Sequence, residues 1–83
     1  MYRIEFRKAA VRALRKMEPE LQARIRGAVA LLAVDPRPPG ALKLSGRDAY
    51  RLRIGSYRLI YTIQDDRLII VVVAIGHRSS VYR

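Results

Sequence analysis

The alternation of apolar and polar residues changes period along the chain and divides it into elements. Tyr2-Arg3-Ile4-Glu5-Phe6 alternates with a period of two, the mark of a short half-buried strand. Phe6, Ala9, Ala10, Ala13, Leu14 and Met17 then recur at helical spacing, which predicts a first helix over residues 7–17. Glu18-Pro19-Glu20 restarts the chain. Proline suits the first turn of a helix, and acidic side chains favour its positive end. Leu21, Ile25, Ala28, Val29 and Leu32 form the buried stripe of this second helix, and Asp35-Pro36 ends it.

Arg37-Pro38-Pro39-Gly40 is incompatible with regular structure, and the predicted loop runs on through Leu44-Ser45-Gly46. Period-two alternation returns in Tyr50-Arg51-Leu52-Arg53-Ile54, followed by a tight turn at Gly55-Ser56. A second strand runs from Tyr57 to about Gln64, with a turn at Asp65-Asp66. The β-branched run from Leu68 to Ile75 reads as a central strand covered on both sides, broken by Gly76. The expected fold class is α+β: a strand, a two-helix hairpin, then a three-stranded antiparallel meander. The helices pack on one face of a curved four-stranded sheet. If Tyr50, Leu52 and Ile54 face the helices, Arg51 and Arg53 project from the other side. Arg58 joins them if Tyr57, Leu59 and Tyr61 also face the helices.

Composition narrows the chemistry. The chain has 83 residues, so a single domain over residues 1–83 is expected. Cysteine is absent, which excludes disulfides, thiolate metal sites and a cysteine nucleophile. One histidine without cysteine does not make a zinc site, and no metal or cofactor is expected. Arg3, Glu5, Arg7 and Lys8 interrupt any leader-like apolar run, and the run from Leu68 to Ile75 is too short to span a bilayer. A cytoplasmic protein with no membrane partner is expected. Lysine and arginine number 17 against 7 acids, a formal charge of +10. Such an excess favours polyanionic partners. Only Lys8, Lys16 and Lys43 are lysines. Arginine forks phosphate oxygens and stacks on bases, which suits RNA; a compositional bias of the source genome explains the preference equally well. The outer face of the first helix carries Arg7, Lys8, Arg12, Arg15 and Lys16, most simply a solvated face, some of which can steer the protein toward ribosomal RNA.

The candidate site is the convergence of Arg51, Arg53 and Arg58 with His77 and Arg78, which leave the end of the last strand, and with Tyr82 four residues later. Lys43 and Arg47 in the preceding loop are candidate RNA-binding residues. Attack of a ribose 2′-OH on the adjacent phosphate needs no metal. It yields a cyclic phosphate and a free 5′-OH. Arginines stabilise the charge of pentacoordinate phosphorus and hold the backbone in line. Tyr82 can stack on a base. His77 is the only side chain here that ordinarily titrates near neutrality, which makes it the acid/base candidate. Taken singly, Arg51 and Arg53 are an ordinary solvated sheet face, and His77 an ordinary surface histidine.

Lys43-Leu44-Ser45-Gly46, the hairpin Tyr50-Arg51-Leu52-Arg53-Ile54-Gly55-Ser56-Tyr57-Arg58-Leu59-Ile60-Tyr61, and Ile75-Gly76-His77-Arg78 with a late Val81-Tyr82 together resemble the RelE/ParE superfamily of toxins. The RelE-like mRNA interferases are the nearer branch. The resemblance implies a type II toxin that cleaves mRNA on the ribosome, held in check by a cognate antitoxin in a hetero-oligomer. It also implies phosphate and transition-state roles for Arg51, Arg53, Arg58 and Arg78, and a stacking role for Tyr82. Well-studied RelE toxins carry lysine at the positions of Arg51 and Arg53. Arginine does not give up its proton, so these two residues are expected to act electrostatically. The alternatives are a ParE-like inhibitor of DNA gyrase and a non-catalytic basic module that binds nucleic acid or protein.

Overall fold

The computed structural model describes residues 1–77. The elements run β1 (Arg3–Phe6), α1 (Lys8–Arg15), α2 (Pro19–Val34), β2 (Leu42–Lys43), β3 (Tyr50–Ile54), β4 (Tyr57–Gln64) and β5 (Ile69–His77). They form one five-stranded sheet in the order β1-β5-β4-β3-β2. β1 pairs with β5 in parallel, and every other pairing is antiparallel. Among the described residues no helix is long and apolar enough to cross a membrane.

The α+β class and the meander stand as expected, with three corrections. The stretch after α2 is not loop throughout: Leu42 and Lys43 pair with Arg51 and Tyr50, adding a fifth, edge strand. Two residues are too few for any periodicity to betray them. Gly76 does not break β5, because its position opposite Arg58 keeps the ladder going to His77. Finally, the β4–β5 turn takes four residues, closed by bonds from Arg67 N–H to Gln64 O and from Leu68 N–H to Asp65 O. Leu68 adopts a φ of 56°, a left-handed conformation that a strand excludes, so β5 starts at Ile69.

Both helices lie on one side of the sheet. α1 packs on β5, and α2 on β1 and β3. Ala10 and Leu14 of α1 and Ile25, Val29 and Leu32 of α2 meet Ile54, Leu59, Tyr61, Ile70, Val72 and Ile75. Tyr50, Leu52, Ile4 and Phe6 pack partly against the same core. Pro19 opens α2, and Gln22 Nε2 donates to Met17 O at 2.9 Å, satisfying a carbonyl where α1 stops. Gly55 turns the β3–β4 hairpin at a φ of 61°, and a side chain there would press on the Arg24 guanidinium, 3.4 Å from the would-be Cβ. The register slips between Ile60 and Tyr61: Ile60 faces Ala74, while Tyr61 faces Val72. The extra residue, Val73, forms a bulge that bends and twists the sheet at its centre.

A polar clamp closes the end of the sheet opposite that hairpin. Arg37 grips Asp65 with both terminal nitrogens, at 2.8 and 3.3 Å, and its Nε donates to the Tyr50 hydroxyl at 3.1 Å. The same guanidinium lies 5.4 Å from the centre of the Tyr50 ring, which stacks on Tyr61 at 5.8 Å. Tyr2 OH donates to Asp65, and Tyr61 OH donates to Pro36 O at 2.8 Å. The chain start, the segment after α2, β3 and the β4–β5 turn are thereby tied together. Arg37, then Tyr2, hold the Asp65 carboxyl below its usual range. Burial pushes the Tyr61 hydroxyl up to about 12.

The clamp is open to two tests. Tyr61→Phe strands the Pro36 carbonyl and lowers stability by about 1 kcal/mol in urea unfolding, typical for the removal of one hydrogen bond. Asp65→Asn lowers the thermal midpoint at neutral pH. Because the folded carboxyl titrates below the unfolded one, its stabilisation is complete above about pH 4 and disappears as pH falls through the depressed value. The gap between wild type and Asp65→Asn in thermal melts therefore closes on acidification over that window.

Candidate nucleic-acid interface

Alternation along β3 and β4 sorts their side chains between the two sheet faces. Tyr50, Leu52 and Ile54 point into or against the helical core, as do Leu59, Tyr61 and Ile63. Arg51, Arg53 and Arg58 consequently occupy the face turned away from the helices. Arg53 stands directly opposite Arg58 in the ladder, and Arg51 opposite Ile60. Side chains directly opposite have Cβ atoms about 5 Å apart, close enough for like charges to repel. No acid occurs in β3, β4 or β5. The surface is thus a local positive field with no counter-charge on its own strands.

The arginines are unequally exposed. Arg53 is exposed, whereas Arg51 and Arg58 are half-buried, with Nε of both and Nη1 of Arg58 shielded from solvent. The face has an apolar floor that the arginines straddle. Ile60 lies on it and is only 4 % exposed, with Val71 and Ile69 further along by the same alternation. Gly76, paired with Arg58, belongs to this face and adds no side chain beside the guanidinium. Cations above an apolar floor suit a strand of RNA, which offers phosphates to one and base faces to the other.

His77 is placed differently. It pairs with Tyr57 and meets that ring edge-on at 5.6 Å. Two residues from Ile75, it shares the helix side of the sheet and lines a hollow of about 690 Å³ with Met17, Leu21, Tyr57 and Arg24. The backbone does not bring its ring onto the arginine face. Lys43 pairs with Tyr50 and so also takes the helix side, while Leu42 is the neighbour of Arg51. Arg47 is exposed in the turn after β2, its N–H donating to Leu44 O at 3.4 Å. Arg78 and Tyr82 lie outside the described residues. No group of histidine and acidic side chains that could hold a metal ion occurs among the described residues.

Ile60 and Gly76 join this surface without having been expected from the sequence. The parity that places Arg58 also places Ile60, so that signal was available. Gly76 had none, because glycine ends strands far more often than it continues them.

A family model described as the ParE toxin of the type II toxin–antitoxin system parDE matches residues 4–82. The chain belongs to the RelE/ParE superfamily of toxins. A RelE-like toxin protein of Escherichia coli is 36 % identical over 86 residues, covering 98 % of this chain and 90 % of the relative. Toxin RelG of Mycobacterium tuberculosis is 32 % identical over 84 residues, covering 99 % and 97 %. Among solved structures, the toxin–antitoxin complex RelBE2 of M. tuberculosis superposes with a TM-score of 0.81 at 29 % identity, over 93 % of this chain and 98 % of the matched one. The intact E. coli RelBE complex gives 0.82 at 25 %, over 93 % and 96 %.

Relieving the Arg53–Arg58 repulsion has a measurable signature. Arg53→Ala leaves the thermal midpoint unchanged or slightly raised, since an exposed like charge is removed. The same variant binds single-stranded RNA more weakly, and the slope of log affinity against log salt falls by roughly 0.7, the value for one phosphate no longer neutralised. Fluorescence anisotropy over a salt series reads both quantities.

Proposed function

We propose that this toxin is a metal-independent endoribonuclease that cleaves mRNA on the ribosome and so arrests translation. The observation that carries the reading is the Arg53–Arg58 pair, flanked by Arg51, on strands that carry no acid. Sequence similarity to RelE-like toxins along nearly the whole chain supports it.

In this mechanism the RNA backbone lies across the arginine face with one phosphate between Arg53 and Arg58. The guanidiniums hold the 2′-OH, phosphorus and leaving 5′-oxygen in line. As the 2′-oxygen attacks, the nonbridging oxygens gain charge, and fixed cations stabilise that state more than the ground state. The products are a 2′,3′-cyclic phosphate and a free 5′-OH. The arginines stay charged throughout and act electrostatically. Arg78 belongs to the proposal as a further phosphate ligand and Tyr82 as a stacking residue. His77 remains the acid/base candidate by chemistry, and from its position beside Tyr57 it must reach the RNA around the end of β5. Lys43 and Arg47 are RNA contacts only at the margin of the face. The likeness to RelBE toxin–antitoxin complexes supports a cognate antitoxin, which in this reading covers this surface and holds the toxin inactive. Acidic antitoxin side chains would complement it.

Arg58→Ala is expected to reduce cleavage by about 10²–10³-fold, the scale for removing one transition-state electrostatic interaction. Primer extension on mRNA after induction, with the fold of the variant checked by circular dichroism, measures the loss. Full cleavage by Arg58→Ala and Arg53→Ala proteins would remove these residues from the mechanism. The family model's description as a ParE toxin favours a second reading, inhibition of DNA gyrase. Blocked supercoiling by purified gyrase, with translation intact, would put that reading first.

A further inference from the structure

The outward side of α2 is apolar where a helix covering a sheet ordinarily carries charge. Ala23, Gly27, Ala30, Leu31 and Val34 fall at i, i+4, i+7, i+8 and i+11, opposite buried Ile25, Val29 and Leu32, and all five are exposed. Leu31 and Val34 each stand 69 % in solvent. Tyr2 N–H donates to Ala33 O at 2.8 Å, which brings the chain start to the same end of α2, and Met1 there is 90 % exposed. The three most exposed large apolar side chains of the described residues thus gather at one end of this stripe. Gly27, at its middle, is not explained by anything within one molecule. Its backbone is not in the left-handed region, and a Cβ added to it would meet nothing within 4 Å. Alanine would favour the helix more. What glycine offers instead is close approach by a second backbone.

We propose that α2 pairs with α2 of a second copy of this chain, antiparallel about a two-fold axis. Three features choose that occupant. The first is shape. The stripe is small in its N-terminal half and larger toward its C-terminal end, so it complements itself when reversed. Antiparallel pairing sets Ala23 of one copy against Val34 of the other, and Gly27 against Ala30, and the two-fold axis repeats each contact. The second is charge. Arg24 and Asp35 lie about three turns apart on one flank of the stripe, and neither forms an ion pair among the described residues. The same pairing brings Arg24 of each copy beside Asp35 of the other. The third is size. α2 has 16 residues, and with its flanking side chains and Met1 the stripe offers roughly 500 Å² per copy, the lower limit for a specific interface. The dimer is therefore weak and reversible. A charge of +10 on each copy opposes it, so salt, which screens that repulsion, strengthens the association. α2 covers the core side of the sheet, so both arginine faces stay outward, and the pairing does not depend on the cleavage reading.

Sedimentation equilibrium of the intact chain, treated with nuclease and run from about 0.1 M to about 1 M salt, is the test. The mass should rise toward two copies with protein concentration and with salt. Gly27→Gln should weaken association by about tenfold or more, because the new side chain holds the helices apart. In a single molecule that side chain enters open space, so the thermal midpoint of dilute Gly27→Gln should hold or rise, which separates lost pairing from lost fold. Arg24→Glu should weaken association, and Arg24→Glu/Asp35→Lys should recover most of it. A chain that stays monomeric at millimolar concentration in every salt overturns the proposal. So does a Gly27→Gln protein that pairs like the wild type. Association that weakens as salt rises assigns it to ionic contacts elsewhere and overturns it as well. No recovery in the double charge variant overturns the antiparallel register. A monomeric chain whose Gly27→Gln variant binds the antitoxin more weakly gives the stripe to that partner instead.

Discussion

One constraint organises the molecule: a sheet with one face sealed by helices sends alternate side chains to opposite environments. Leu52 with Leu59, and Tyr50 with Tyr61, are cross-strand pairs drawn toward the core. Burying one such side chain is worth about 1.5–3 kcal/mol, whereas two like charges facing each other across a ladder oppose folding by less than about 1 kcal/mol. Burial wins. The β3–β4 register is fixed by its apolar half, and the repulsion between Arg53 and Arg58 is carried as a consequence. A one-residue slip would bury the arginines under the helices and expose Leu59 and Tyr61.

The same imbalance explains where the acids are. Asp65 is taken up by Arg37 and Tyr2 at one end of the sheet, and Glu5 meets Arg3 on the edge strand. Glu18 and Glu20 line the hollow near His77. None lies in β3, β4 or β5, or in the first turn of α1. Acids placed in this way are absent from the strands and the helix turn that carry the two concentrations of positive charge, on opposite sides of the core. A protein built so is steered toward polyanions over long range, and its affinity for them falls steeply with salt.

The bulge at Val73 and the Arg37–Asp65 clamp add shape to this charge pattern. The bulge bends β5 where it passes Ile60, in the middle of the arginine side of the sheet. The clamp fixes the opposite end, holding the segment after α2 against the meander through Tyr50 and Tyr61. Curvature and anchorage together set the angle at which β3 and β4 present their arginines.

Periodicity alone determined both helices, four strands, the inward face of the meander and therefore the side on which Arg51, Arg53 and Arg58 emerge, because burial enforces those patterns residue by residue. Tertiary structure alone decided the rest. β2 is two residues long and exists only because β3 offers it an edge. Gly76 remains in a strand because Arg58 is its partner in the ladder, and that extension carries His77 to the side of Tyr57. Arg37 and Asp65 are 28 residues apart, and no local pattern links them. Such choices depend on which segments the folded chain brings within hydrogen-bonding distance, and that information is absent from any short stretch of sequence.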